Sequence, residues 1–313
     1  MDEIKCRICG NSSNNAKLKL NATMYGTKGL FSYFICKECG CLQIEREMDN
    51  IGDYYDASQY YSFNMDRRKL KNELLYRQML HQIGKKNLPG GLVGVLYPVN
   101  YNFLNLVKKE DAILDVGCGD GEFLRWLLQA GFTNVMGIDP FAEKDYYLEN
   151  QLLVAKGDVR EYQFEKKFNL IVLLHSLEHV FDQREHIQSL ERNLLPGGYM
   201  VFQLPVFSTY YWEKYGNCLY TLDPPRHFYL HTKRSLMILM DSLGYEMVDY
   251  STEIDVGIPS MAKNIEKGET EKNNGCGFVS GTISALKSWK LRKELKKNQD
   301  GAIATAIFRK KNR

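Results

Sequence analysis

Residues 112–124 read Ala-Ile-Leu-Asp-Val-Gly-Cys-Gly-Asp-Gly-Glu-Phe-Leu and carry the clearest structural signal in the chain. An apolar run leads into a turn in which Gly117, Gly119 and Gly121 alternate with other residues, and a helical pattern follows. Glycine lacks a Cβ, so such a turn adopts positive φ angles and lets a ligand approach the backbone. The helix then presents free N–H groups and its positive dipole end to an anionic group. The segment predicts a binding site, or seat, for a small charged cofactor.

Four further motifs follow this turn in order. They are Gly137-Ile138-Asp139 and Gly157-Asp158-Val159, each after an apolar run, the strand 170–174 that ends at His175, and Leu195-Pro196-Gly197-Gly198-Tyr199 before another apolar run. The glycine spacing G-x-G-x-G after Asp115 differs from the dinucleotide fingerprint G-x-G-x-x-G. Together the motifs resemble the class I S-adenosylmethionine-dependent methyltransferases over residues 111–251 plus the last strand.

This resemblance implies S-adenosylmethionine as the cofactor and assigns several residues to it. Asp139 corresponds to the carboxylate that holds the ribose hydroxyls, and Asp158, followed by Val159, corresponds to the acid that contacts the adenine. The remaining positions that the resemblance places at the cofactor are Asp115, Gly117, Gly119, Gly121 and His175.

The fold class follows from the alternation of strand-like runs and helices after residue 112, which predicts a parallel sheet covered on both faces. We expect an α/β fold with a doubly wound, seven-stranded, mostly parallel, Rossmann-like sheet. The first helix spans 121–130, and 246–251 and 302–308 are candidate strands six and seven. In the resembling family the seventh strand is antiparallel. Ligands of such sheets bind at the carboxyl ends of the strands.

Four of the eight cysteines form two knuckles, Cys6-x-x-Cys9 and Cys36-x-x-Cys39, separated by 26 residues. Two such knuckles bring four thiolates to one tetrahedral ion, so the spacing predicts a structural zinc site in a small N-terminal zinc-ribbon module. The alternative is two pairs of unrelated thiols. Disulfides are not expected in a cytoplasmic chain. The remaining cysteines are interpreted as packed or loop residues.

Three regions are predicted from these patterns: a zinc-binding module at 1–48, an aromatic and helical linker and cap region at 49–110, and the cofactor-binding domain at 111–313 with an insertion at about 255–300. The linker contains paired tyrosines within 53–63 and a helical pattern over 65–81. In the insertion, 263–274 reads as a mobile polar loop and 280–297 as a basic helix. Cysteine knuckles, paired tyrosines and the glycine turn together resemble bacterial methyltransferases of sugar and surface-glycan biosynthesis.

The composition is that of a globular enzyme of 313 residues. Apolar residues make up 44%, which argues against disorder, and 41 basic against 38 acidic residues leave a charge of +3, too balanced to indicate a nucleic-acid surface. No apolar signal region opens the chain and no run reaches the length of a membrane span. We therefore expect a cytoplasmic protein without membrane insertion.

Methyl transfer to an alcohol or a carbon acid needs a base, and two histidines are candidates. His175 follows the fourth strand, with Glu178 and His179 on the next helical segment. His227 lies in the segment Asp223-Pro224-Pro225-Arg226-His227, where similar proteins carry a histidine that faces the acceptor. A structural role is the alternative for each histidine. Arg226 is alternatively a ligand for the phosphate of a nucleotide-linked sugar.

Two functions remain open at this point. The first is methyl transfer to a small-molecule acceptor, such as a sugar, a nucleotide-sugar or a glycan-related metabolite. The second is methylation of RNA, with the zinc module reading single-stranded or looped RNA. The near-neutral charge argues against RNA, and so does the absence of an Asn/Asp-Pro-Pro-Tyr motif at strand four. Asp223-Pro224-Pro225 comes after strand five instead.

Overall fold

The structure is a computed structural model that describes residues 4–22, 29–49, 51–54, 69–84, 99–148, 151–255, 257–267, 291 and 293–311. The chain divides into two compact units. The first comprises Met1–Asp56, Pro205–Ile238 and Ser251–Ala304, and the second comprises Ala57–Leu204, Leu239–Tyr250 and Thr305–Arg313. The three predicted regions, 1–48, 49–110 and 111–313, remain a prediction.

The first unit contains a four-stranded antiparallel sheet in the order β1-β2-β3-β10. Its strands are β1 (Ala16–Asn21), β2 (Leu30–Ile35), β3 (Leu42–Ile44) and β10 (Tyr229–Leu230). Three strands come from the cysteine-containing N-terminus, whereas β10 comes from far along the chain, and the sequence analysis did not anticipate this pairing. Helices α4 (Thr209–Tyr215) and α6 (Ile258–Glu266) also belong to this unit.

Eight strands form the larger sheet, in the order β11-β12-β9-β8-β4-β5-β7-β6. They are β4 (Ile113–Val116), β5 (Val135–Asp139), β6 (Tyr146–Leu148), β7 (Gln151–Lys156), β8 (Phe168–Leu174), β9 (Leu194–Pro205), β11 (Tyr245–Glu253) and β12 (Ile303–Lys310). The five strands from β9 to β7 run parallel. The doubly wound, mostly parallel α/β fold is thus confirmed, with β6 as an additional antiparallel edge strand.

The strand order reverses at β4, because β5 and β7 follow on one side and β8 and β9 on the other. Right-handed crossovers therefore place α2 (Glu122–Gln129) and α3 (Gln183–Glu191) on opposite faces of the sheet. Their apolar residues Leu124, Leu127 and Ile187 are fully buried. The carboxyl ends of β4 and β8 form the switch point, which is where open α/β sheets bind ligands.

The remaining helices are α1 (Lys69–Gln82) and α5 (Lys233–Ser242). The Thr232 hydroxyl caps α5, since its Oγ1 accepts the N–H of Ser235 at 3.1 Å. Short 3₁₀ turns span Ile51–Tyr54, Asn102–Leu106, Leu177–His179, Gly216–Cys218 and Tyr220–Leu222. None of the helices in the described part of the chain is long and apolar enough to cross a membrane.

Some local predictions need correction. The predicted loop 263–274 begins inside α6, whose first turn contains a proline at a favourable position, while residues 268–274 lie outside the described residues. The turn 195–199 is an irregularity within β9, because the pairing with β8 shifts register there and Gly197 has φ of 78°. Most of the aromatic stretch 53–63 and of the basic helix 280–297 lies outside the described residues.

Candidate functional site

The glycine turn after β4 is shaped by three positive φ angles, 77° at Gly117, 56° at Gly119 and 75° at Gly121. A Cβ on Gly117 would lie 2.5 Å from Cβ of Ser176, and one on Gly121 would lie 2.6 Å from Cγ2 of Val154. Gly117 and Gly121 are therefore required by packing as well as by conformation. A Cβ on Gly119 would instead meet open space. The middle glycine is thus the one that leaves room for a ligand against the backbone.

Asp139 ends β5 and connects that strand to the glycine turn. Its Oδ2 accepts the N–H of Gly119 at 2.8 Å, and its Oδ1 accepts the N–H of Phe141 at 2.8 Å. Burial raises the pKa of Asp139, while these backbone hydrogen bonds act in the opposite direction. Each carboxylate oxygen has a second lone pair. Asp139 therefore holds the shape of the turn and retains acceptor capacity for two vicinal hydroxyls.

Asp115 lies within β4 and is 2% exposed. Burial, and then the charge of Asp139, raises the pKa of Asp115 to about 8. Within the described residues, its Oδ1 has no hydrogen-bond partner. A buried acceptor without a partner, on the strand that leads into an open glycine turn, fits a cofactor that carries hydrogen-bond donors.

Asp158 follows β7 and is held by a neighbouring arginine. The guanidinium of Arg160 contacts both carboxylate oxygens, with Nη2 to Oδ2 at 2.6 Å and Nε to Oδ1 at 3.0 Å. This hydrogen bonding lowers the pKa of Asp158. Val159 between them is buried. Asp158 is therefore a charged, fixed acceptor at the end of β7.

His175 directly follows β8, at the switch point, and its backbone has φ of 56°. The backbone N–H of His175 donates to the carbonyl of Gln203 at 2.7 Å, and Nδ1 lies 3.7 Å from Oε1 of the buried Glu178. The imidazole is 41% exposed. Glu178 and His179 lie in the 3₁₀ turn Leu177–His179, and α3 starts later, at Gln183.

His227 lies in the first unit, whereas His175 and the glycine turn belong to the second. Its Nδ1 is 2.8 Å from the carbonyl oxygen of Thr221. Since a carbonyl oxygen only accepts, Nδ1 carries the proton, and Nε2 is the unprotonated nitrogen of the neutral imidazole. Nε2 lies 3.9 Å from Oδ2 of Asp223.

Arg226 does not fit the alternative role in phosphate binding. Its side chain is 2% exposed. The guanidinium pairs with the carboxylate of Asp223, with Nε to Oδ2 at 2.9 Å, and Nη1 donates to the carbonyl of Tyr54 at 3.1 Å. Arg226 is therefore committed to the interior of its own unit. Together with Asp223, it supports the loop that carries His227.

Cys6, Cys9, Cys36 and Cys39 lie together, with all four sulfurs within 4.8 Å of one another. Sγ of Cys6 is 3.7 Å from Sγ of Cys39, and Sγ of Cys9 is 3.5 Å from Sγ of Cys36. Four sulfurs around one tetrahedral zinc ion, each about 2.3 Å from it, would be separated by about 3.8 Å. Gly10 and Gly40, at φ of 78° and 72°, close the two knuckles. The cluster therefore fits a zinc ion.

Side chains around the cluster direct hydrogen-bond donors at the sulfurs, as thiolate ligands require. Nε2 of the buried Gln43 lies 2.9 Å from Sγ of Cys6, and Nδ2 of Asn11 lies 3.8 Å from Sγ of Cys36. Hydrogen bonding with Cys39, then with the backbone of Cys9 and with Gln43, lowers the pKa of Cys6. Gln43 was missed by the sequence analysis because no spacing rule marks a glutamine two residues after Cys41.

Cys41 lies outside this cluster and is fully buried. Its sulfur is 3.8 Å from Nδ1 of His231, and burial raises its pKa. His231 in turn hydrogen-bonds Oγ of Ser235 at 2.9 Å and is itself fully buried. Both residues thus contribute to the interior. Cys276 lies outside the described residues.

Comparison with known proteins assigns this chain to one family. Residues 73–250, more than half of the chain, match a family described as "Methyltransferase domain". A ubiquinone biosynthesis O-methyltransferase of Rickettsia bellii is 28% identical over 143 residues, which are 41% of this chain and 59% of that protein. A tRNA U34 carboxymethyltransferase of Nautilia profundicola is 30% identical over 107 residues, 31% of this chain and 35% of that protein.

Among solved structures, a SAM-dependent methyltransferase from Archaeoglobus fulgidus covers 71% of this chain and 94% of its own, with a TM-score of 0.45 and 21% identity. The match to the Rickettsia bellii relative spans about three fifths of that protein's length.

The raised pKa of Asp115 predicts a pH dependence of stability. The folded chain keeps a proton on Asp115 that the unfolded chain releases above its ordinary pKa of 3.8, so between this value and about 8 the free energy of unfolding falls as pH rises. The slope is at most about 1.4 kcal/mol per pH unit for one proton. Asp115→Asn does not titrate and should flatten the curve. Urea denaturation across this pH range measures the free energy of unfolding of wild type and of Asp115→Asn, with the exposed Glu165→Gln as control. Parallel plots of this free energy against pH for wild type and Asp115→Asn would contradict the raised pKa of Asp115.

The cysteine cluster predicts a defined metal content. Purified protein should contain one zinc ion per chain, and Cys36→Ser should lower zinc affinity by more than tenfold, because one of four ligands is replaced by a weaker one. Elemental analysis with a competing chelator measures this, and Cys218→Ser, outside the cluster, is the matched control. A zinc-free wild type that unfolds at the same temperature as the zinc-loaded protein would rule out a structural ion.

Proposed function

The chain belongs to the methyltransferase-domain family, and we propose that it transfers the methyl group of S-adenosylmethionine to a hydroxyl group of a small molecule, namely a sugar, a nucleotide-sugar or a related glycan precursor. The observation that carries the proposal is the switch point of the larger sheet, where an open glycine, Gly119, lies beside the buried carboxylate of Asp139. This is the combination of backbone cradle and hydroxyl acceptor that an adenosine-containing cofactor needs.

The cofactor would be held by residues at the ends of four neighbouring strands. Asp139 would accept the ribose hydroxyls, Asp158 and Val159 would meet the adenine, and the glycine turn would lie along the amino-acid part, near Asp115. The exposed His175 would border the same seat. Bound S-adenosylmethionine supplies an electrophilic methyl carbon with a neutral thioether as the leaving group. The protein then has to align the acceptor, exclude water and remove one proton.

We assign removal of the proton to His227. Nε2 of His227 would accept the proton of the acceptor hydroxyl as that oxygen bonds to the methyl carbon that S-adenosylmethionine would supply, with the neutral thioether as the leaving group. Thr221 keeps Nδ1 protonated, so the base is in the correct tautomer before the acceptor arrives. Oδ2 of Asp223 lies 3.9 Å from Nε2. His175 is the second candidate for this role.

The choice of acceptor rests on three observations. The balance of charge, +3 overall, does not favour a polyanion. Relatives from Rickettsia and Haemophilus are named as O-methyltransferases of ubiquinone biosynthesis, which supports a hydroxyl on a small molecule. The combination of an N-terminal cysteine cluster with the motifs of a class I methyltransferase resembles that of enzymes of sugar and surface-glycan biosynthesis. This resemblance supports a sugar as the acceptor.

Methylation of RNA is the second candidate, because one relative is named for tRNA. The experiment that separates the two uses purified zinc-loaded protein and radiolabelled S-adenosylmethionine, offered with a panel of nucleotide-sugars in one arm and total tRNA in the other. Label in the sugar fraction supports the proposal, and label in tRNA overturns it. Calorimetric titration with S-adenosylmethionine, with NAD as control, is run on the same protein and tests the cofactor independently of the acceptor.

Asp139→Ala tests the cofactor seat. The substitution removes the hydroxyl acceptor and also the hydrogen bond to the N–H of Gly119, so the dissociation constant for S-adenosylmethionine should rise at least tenfold, a loss of about 1.4 kcal/mol or more. Glu165→Ala, an exposed carboxylate in a loop, should bind as wild type does. Equal affinity of wild type, Asp139→Ala and Glu165→Ala for S-adenosylmethionine would show that Asp139 does not bind the cofactor.

His227→Asn tests the base. The amide nitrogen of asparagine retains a donor for the carbonyl of Thr221, but its lone pair is delocalised into the amide and does not accept a proton, so kcat should fall by about 10²- to 10⁴-fold while cofactor affinity stays unchanged. His81→Asn, on the exposed side of α1, is the matched control. If turnover survives in His227→Asn, the same measurement on His175→Asn decides whether that histidine is the base, since asparagine also tolerates the positive φ at position 175.

A further inference from the structure

The segment 227–232, which contains His227 and β10, is bonded to the N-terminal cysteine-containing region along its whole length. The hydroxyl of Tyr33 donates to the carbonyl of His227 at 2.9 Å. The N–H of Ile44 donates to the carbonyl of Phe228 at 3.0 Å. Tyr229 and Leu230 then pair with β3. The carbonyls of His227 and Phe228 and strand β10 are therefore positioned by residues that lie almost 200 positions earlier in the sequence.

The same segment is bonded to the neighbours of two metal ligands. Oγ1 of Thr232 donates to the carbonyl of Cys39 at 2.6 Å. Gln43, whose amide is 2.9 Å from Sγ of Cys6, is the residue opposite Tyr229 in the sheet. Nε of Arg7, the residue after Cys6, donates to the hydroxyl of Tyr229 at 2.8 Å. One knuckle is thus linked to Tyr229 and the other to Thr232.

These contacts couple two features that the proposed function treats separately. A cluster of four thiolates has little apolar core of its own, so the free energy of metal binding is largely what orders it. Residues 39–44 connect the second knuckle to β3, and the segment 227–232 is ordered on them. A histidine that acts as a base needs its Nε2 within a few tenths of an ångström of a fixed position, because a displacement of 1 Å costs about 10²-fold in rate.

We propose that the metal-loaded cysteine cluster positions His227, and that Tyr33 is the positioning residue that transmits this order to it. Tyr33 is fully buried and lies on β2, opposite Ile44 of β3, the strand that follows the second knuckle. The inference rests on the proposed role of His227 as the base. It assigns the N-terminal module a role in orienting the acceptor-side chemistry, beyond its own folding.

Tyr33→Phe tests the link to His227 with the loss of one hydroxyl and no change of ring. The matched control is Tyr245→Phe, because Tyr245 is also buried and its hydroxyl has no hydrogen-bond partner within the described residues. We expect unchanged zinc content and cofactor affinity in both variants. Only Tyr33→Phe should lower kcat, by about ten- to hundredfold, with little change in KM.

Nitrogen NMR of the imidazoles gives a readout that does not depend on activity. The chain has six histidines, and the spectrum of His227→Asn identifies the signal of His227. In the wild type that signal should report a protonated, hydrogen-bonded Nδ1 in a single environment. In Tyr33→Phe it should shift or broaden, whereas the signal of His186, in the second unit, should stay in place. An unmoved His227 signal in Tyr33→Phe would overturn the proposal.

Removal of zinc by a chelator tests the metal itself. The His227 signal should broaden when zinc is removed and recover when zinc is added back, again with His186 unchanged. A His227 signal that is identical with and without zinc would overturn the role of the cluster. The outcome is separable from the proposed function: full turnover in His227→Asn would reject His227 as the base, while the response of its NMR signal to Tyr33→Phe and to zinc would still report whether the cluster positions it.

Discussion

The close approach of β4 and β8 at their carboxyl ends is the constraint on which the cofactor seat depends. Gly117 lies so near Ser176 that a single Cβ would be 2.5 Å from the serine side chain, and Oγ of Ser176 donates to the carbonyl of Val116 at 2.7 Å. The two strands flank the point where the sheet reverses its order, so this contact lies directly at the switch point. The open face of Gly119 and the carboxylate of Asp139 are placed by the same turn.

A second constraint organises the first unit, and it consists of hydrogen bonds that backbone carbonyls accept. The carbonyls of His227 and Phe228 accept from Tyr33 and Ile44, and that of Cys39 accepts from Thr232. Each of these bonds joins the cysteine-containing N-terminus to the segment after α4. The small N-terminal module thereby shares a sheet with the segment that carries the proposed base.

The parts of the fold that could be predicted from sequence are those with short-range signals. The glycine turn follows from φ angles that only glycine adopts readily, and the parallel strands follow from apolar runs buried on both faces. The cysteine cluster follows from two short knuckles. The prediction of a loop failed at 263–266, where a mainly polar stretch is helical in α6.

The sequence by itself determined the class of fold, the strand ends that carry Asp115, Asp139 and Asp158, and the four sulfurs, because each depends on residues close together in the chain. Only the tertiary structure decided that Arg226 is buried against Asp223, that Thr221 sets the tautomer of His227, and that β10 pairs with β3. Burial and hydrogen-bond partners are properties of segments distant in sequence, and no spacing encodes them. The roles of the histidines therefore depend on neighbours that folding alone brings to them.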